Sequence, residues 1–445
     1  MTELARKLRL TDYFTLGWGT MVGVGWLVVM DDWLGRGGPL GGILGFAIGG
    51  ALLLPIGYVY GQLVSAMPDA AGEVAYTAAV FPRSVSFATG WMMMLAYFIV
   101  CPWEAVAVGR IAAYIFPALD SLELYQVAGK PVFLPRLIIG LVLTGLLTFL
   151  NYRGIRFSAT FQNWTAFGTI GLFVIFVVAG VSKGSSANLT PLFSHSPFLS
   201  IFLVLQIVPY FMTGFESVTK AAEEANPEFR ARTFLIALWM AIVVGILFYT
   251  IVIGAVGYVA PWRQLTGEKF MTAVAFERAV GSRWIVRAIM AAALLSLVKC
   301  FNGNFVASTR LLFAMARRGL MESAMAVVHP INRTPSMAVL AIGGATALCM
   351  FLGDAILVPV SEVGSVASAV GWLAACAAYF AMRPPTKQRL VALLGILLGL
   401  GMILMKVIPI VPGHFSANEW LTLAVWIAVG LLLAKRSKEI EPRAA

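Results

Sequence analysis

Charge is scarce in this sequence: Asp, Glu, Lys and Arg make up 12% of its 445 residues, about half the share of a soluble domain. A water-soluble surface cannot be built from so few. Histidine is scarcer still, with three in the chain, and His195, His329 and His414 fall in loops far apart. The paired histidines and carboxylates of a metalloenzyme are therefore missing, so no catalytic group, metal site or cofactor is expected. The four cysteines, Cys101, Cys300, Cys349 and Cys376, sit inside apolar runs without ligand spacing. They read as small core residues and indicate neither a disulfide nor a zinc site. No repeated filter residues mark a channel.

What the chain does have is hydrophobic residues, 60% of the total. Apolar runs long enough to cross a hydrocarbon core of roughly 30 Å recur about twelve times. They run from 10–34 through 131–151, 198–225 and 282–317 to 416–434, and the linkers leave no room for a separate soluble domain. The expected fold is an all-α membrane protein of about twelve transmembrane helices. The first run has no small-residue cleavage site behind it and meets Gly37-Gly38-Pro39, so it is expected to stay in the bilayer.

The net charge of +11 is spread among alternate loops, which fits membrane orientation and not nucleic acid. Arg6, Lys7 and Arg9 precede the first run, Lys220 and Arg230 follow the sixth, and Arg317 and Arg318 follow the eighth. All fall on one side of a twelve-helix chain. The positive-inside rule then puts both termini in the cytoplasm of a multi-pass protein of the cytoplasmic membrane. The loop at 261–287, with Arg263, Lys269, Arg278 and Arg283, opposes the rule locally without reversing it.

Two runs are poor helix. Gly17 to Trp26 reads GWGTMVGVGW, and each glycine weakens a helix by about 1 kcal/mol. Small residues also pack transmembrane helices closely, which is the alternative reading of that run alone. Pro209 and Gly214 interrupt the sixth run in PYFMTGFESVTKAAEE. Breaks five segments apart point to an inverted repeat with a solute site where the broken helices meet. The repeats would be 10–182 and 198–382, with two accessory helices over 387–434.

Four stretches carry a family resemblance: RGGPLGGILGFAIGGALLLPIGYVYGQLVSAMPDAAGE at 36–73, NYRGIRFSATFQN at 151–163, GFESVTKAAEEANPEFR at 214–230 and STRLLFAMARRGLMESAMAVVHPINRTP at 308–335. The chain resembles the amino acid–polyamine–organocation transporter superfamily over nearly its whole length. The resemblance implies a five-plus-five inverted-repeat fold and secondary transport of amino acids or related amines. Exchange of two such solutes is the alternative mode, and a non-transporting solute sensor the alternative class. The expected partners are a small amino acid or amine and the lipid bilayer.

Unwinding near Met21, Val22, Gly23, Val24, Gly25 and Trp26 would free amides to receive a substrate carboxylate at the positive end of a half-helix. Carbonyls from Tyr210 to Thr213 would accept from its ammonium. By similarity to family members Tyr210 is an aromatic gate, with Phe215 and Trp26 as further walls; packing between helices is the plainer role for each. Charges inside membrane segments are costly and so are functional candidates. Glu104 would favour an amine in the side-chain pocket or would pair with Lys299. Glu216 stands where relatives carry an acid linked to proton or pH response; bracing the broken helix is its structural alternative. Glu223 and Glu224 belong to the same motif and read as structural or gating.

Related sodium-coupled transporters bind sodium between segments 1 and 8 near the level of Lys299, and an ammonium there would replace it. Some proton-coupled relatives carry a lysine from segment 5, where this chain has Thr169. Protons, and not sodium, are therefore the expected coupling ion. Asn302 and Asn304 would select polar substrate groups.

Overall fold

The structure, a computed structural model, describes residues 8–226, 231–268 and 270–438. Arg6, Lys7, Arg230 and Lys269, counted above for orientation, lie outside the described residues, as does the 227–230 end of one motif. Ten described helices are long and apolar enough to cross a membrane. They are Met30–Ala66, Arg83–Ile115, Leu134–Arg153, Ser158–Lys183, Arg232–Val259, Trp284–Arg317, Ser336–Ala355, Val360–Ala381, Thr386–Val407 and Ala417–Ala434. Of the expected runs, 10–34 and 198–225 are missing from this set because neither holds one continuous helix. These two are segments 1 and 6, and the others are numbered around them in chain order.

Segment 1 passes directly into segment 2 at Gly38, whose φ of 64° is a backbone conformation that a side chain disfavours. A Cβ there would also lie 2.8 Å from the Leu192 carbonyl oxygen. Segment 2 then packs its glycine face on segments 6 and 7: Gly45 meets Val204, Gly49 meets Val208 and Gly50 meets Ile246. Small residues let helices approach where no hydrophobic effect drives them together.

Polarity is arranged as a bilayer requires. Val142, Val178, Leu397 and Leu431 are exposed on the outer face, whereas Tyr13 to Met21 of segment 1 are buried throughout. Segment 4 begins at Leu134 and not at 131, because Glu123–Val127 and Lys130–Phe133 pair as an antiparallel β-hairpin. Ala128 and Gly129 turn it, both with positive φ, the geometry of a tight hairpin loop.

Candidate solute site

Segment 1 is helical over Leu10–Met21, extended at Val22 and helical again over Gly25–Val28. The interruption strips carbonyls of their intrahelical partners, and inside a membrane each must find another. Segment 8 supplies the donors. Ser296 donates to the Gly23 carbonyl at 2.7 Å, and the Cys300 thiol to that of Thr20 at 3.1 Å. Asn304 also donates to Thr20, at 3.0 Å. The Lys299 ammonium donates to the carbonyls of Val22 and, at 3.4 Å, Gly19. It also lies 4.4 Å from the centre of the Trp18 ring, close enough for cation–π attraction. Residues 296, 299, 300 and 304 share one helix face by their spacing.

Segment 6 is helical over Pro197–Leu205 and Val208–Phe211, and again from Ser217. Its break is closed from within. Thr213 donates to the Pro209 carbonyl at 2.6 Å, and the Gly214 amide donates to the Glu216 carboxylate at 3.2 Å. Gly214 has a φ of 126°, and a Cβ there would lie 2.7 Å from the Met21 nitrogen. Glycine is thus needed for the two breaks to touch. Tyr249 of segment 7 ties them, its hydroxyl 3.0 Å from the Met21 carbonyl oxygen and 2.9 Å from that of Phe211.

Between the breaks lies a small cavity, about 20 Å³ in volume, room for one water and not for an amino acid. Met21, Gly23, Gly25, Glu104, Tyr210 and Thr213, all candidates named from the sequence, line it together with Trp103, Phe211 and Cys300. The glycines here admit side chains of this chain: Glu104 Oε1 packs on Gly23 and the Phe211 ring on Gly25.

Other candidates are placed elsewhere. Val22 and Val24 belong to the break through their backbone but turn fully buried side chains into the core. Trp26 packs edge-on against Phe176 and Phe248, at 5.7 and 6.4 Å. Phe215 packs against Tyr60 and Trp372. Asn302 joins a separate polar network, accepting from Asn151 and Ser158 and donating to Gln162 at 2.9 Å. Asn304 touches segment 1 through its amide nitrogen, and its Oδ1 is buried without a partner among the described residues. Glu216 is fully buried beside Tyr97 and Trp372. Lys299 and Glu104 form no ion pair among the described residues: the ammonium turns to carbonyls, and the carboxylate faces the Val24 amide and the Cys300 thiol.

The motif stretches meet at one end of the bundle. Lys220 pairs with Glu73, which also accepts from Tyr60 at 2.7 Å. Arg310 bonds Glu224 at 3.0 Å, Arg317 bonds Glu223 at 2.9 Å, and Arg318 bonds Asp69 at 2.5 Å. Leu8, just before segment 1, bridges to Ala225 beside them. Sequence reasoning missed Ser296, Cys300 and Tyr249. The 3–4 spacing around Lys299 held the signal for the first two, whereas nothing in the sequence marks Tyr249.

Buried helices with two facing interruptions, wrapped by apolar spans, define a multi-pass all-α membrane transporter. Residues 8–433 match the family model for amino acid permeases, and the chain belongs to that family; it is a transporter and not an enzyme. It is 26% identical over 345 residues to the methylthioribose transporter of Bacillus subtilis, covering 75% of this chain and 72% of that one. It is likewise 26% identical over 382 residues to the branched-chain amino acid permease BcaP of the same organism, covering 84% and 79%. With the vacuolar cationic amino acid transporter 4 of Arabidopsis thaliana it shares 27% over 402 residues, covering 86% and 64%.

Proposed function

We propose that this permease imports an amino acid or related amine across the cytoplasmic membrane by alternating access, coupled to protons and not to sodium. The relatives' names span branched-chain and cationic amino acids and a methylthiosugar, which supports a small organic solute. In this reading segments 1–5 (10–182) and 6–10 (198–382) are inverted repeats, 387–434 is accessory, and both termini are cytoplasmic.

The observation that carries the coupling is the Lys299 ammonium on the Gly19 and Val22 carbonyls. A protonated amine brings positive charge to a helix end whose carbonyls carry the negative pole. Loss of its proton weakens both contacts, loosens segment 1 from segment 8 and so links the proton to rearrangement of the break. Uptake into liposomes under an imposed pH gradient tests this. Wild-type uptake is expected to follow the gradient without internal solute, whereas an exchanger needs preloading. Lys299→Met is expected to abolish gradient dependence; uptake by that variant that still follows the gradient would refute the coupling role.

A further inference from the structure

The amides of Gly23, Val24, Gly25 and Trp26 donate to no backbone carbonyl among the described residues. That makes them the expected seat for a solute carboxylate. The seat is already taken. Glu104 is 2% exposed, its Oε1 rests on Gly23, and the carboxylate faces the Val24 amide and the Cys300 thiol. Its second oxygen, Oε2, is buried and has no hydrogen-bond partner among the described residues, although Glu104 lines the cavity between the breaks. A buried carboxylate oxygen without a donor is costly.

The rest of the cavity suits a cation. Trp103, Tyr210 and Phe211 line it, and among the described residues no Lys, Arg or His does. Lys299 spends its ammonium on carbonyls. A second carboxylate brought in by an amino acid would face Glu104, and Lys299, the nearby base, already holds the Gly19 and Val22 carbonyls.

We infer that Glu104 supplies from the protein the carboxylate that an amino acid would bring, and that the solute is a small organic amine lacking an α-carboxylate, its ammonium held by Glu104 Oε2 among the aromatic rings. The inference rests on the transport reading above and narrows its solute class.

Matched pairs differing only in the α-carboxylate test it: cadaverine against lysine, isoamylamine against leucine, phenethylamine against phenylalanine. Uptake of each is measured in liposomes containing the full chain. In the best-transported pair the amine is expected to exceed its amino acid by about tenfold or more, the worth of a charge-assisted hydrogen bond. Glu104→Gln is expected to lower amine uptake by a similar factor. Equal or better uptake of the amino acids by the wild-type protein overturns the inference while leaving the transport reading intact, and needs no variant. Amine uptake unchanged by Glu104→Gln overturns it too. If no member of any pair moves, the transport reading fails and the inference with it.

Discussion

At the end of the bundle where residues 69–73, 220–226 and 310–318 meet, Lys220 pairs with Glu73 and Arg310 with Glu224 at no more than 1% exposure. At the opposite end Arg36 bonds Asp32 and Glu362 through side chains 14% to 44% exposed. Similar groups serve both ends, but their environments differ. A desolvated pair that loses one partner leaves a buried uncompensated charge, whereas an exposed pair returns its partner to water. In this conformation the Lys220 and Arg310 pairs cannot part cheaply, whereas the Arg36 contacts can be replaced by water and salt, although Glu362 also holds the buried Lys406 ammonium.

The sharpest way to break this comparison is Lys220→Met. It should cost about 3–5 kcal/mol, because Glu73 is left buried and charged with Tyr60 as its one remaining donor among the described residues; thermal unfolding in detergent measures it. Adding Glu73→Gln should recover part of the loss. Between the ends, Tyr249→Phe removes the hydroxyl shared by the two breaks and should cost about 1 kcal/mol, the net worth of one hydrogen bond, in the same measurement. Arg36→Gln should cost least, about 0–1 kcal/mol. Its effect should vanish at about 1 M salt, where the screening length falls to about 3 Å, while the Lys220 effect persists. An Arg36 variant as damaging as Lys220→Met would show that the two ends are equivalent.

Much of the fold was legible in the sequence. The glycines from Gly17 to Gly25, and Pro209 with Gly214, marked the two segments that fail to form continuous helices, since backbone propensity is a local property. The hairpin at 123–133 went unread because its strands are short and lie beside a long apolar run. The candidate site was only partly legible. Glu104, Tyr210 and Thr213 do meet the break of segment 1 at one cavity. Trp26 and Phe215 turn instead to Phe176 and to Trp372, since an aromatic inside a bilayer finds apolar neighbours on any side. Asn302 and Asn304 lie two positions apart on one helix, about 200° around its axis, so they enter different networks.

The sequence alone determined that this chain is a membrane protein and where two of its segments must break. Hydropathy and glycine or proline content act residue by residue, so both are written locally. Which groups satisfy the opened backbone was decided by the tertiary structure. Lys299 reaches Gly19 across 280 positions, Tyr249 reaches Met21 across 228, and Glu104 fills the space that Gly23 leaves. Inside a bilayer every freed carbonyl and amide needs a partner, but only the packing of distant segments fixes which one.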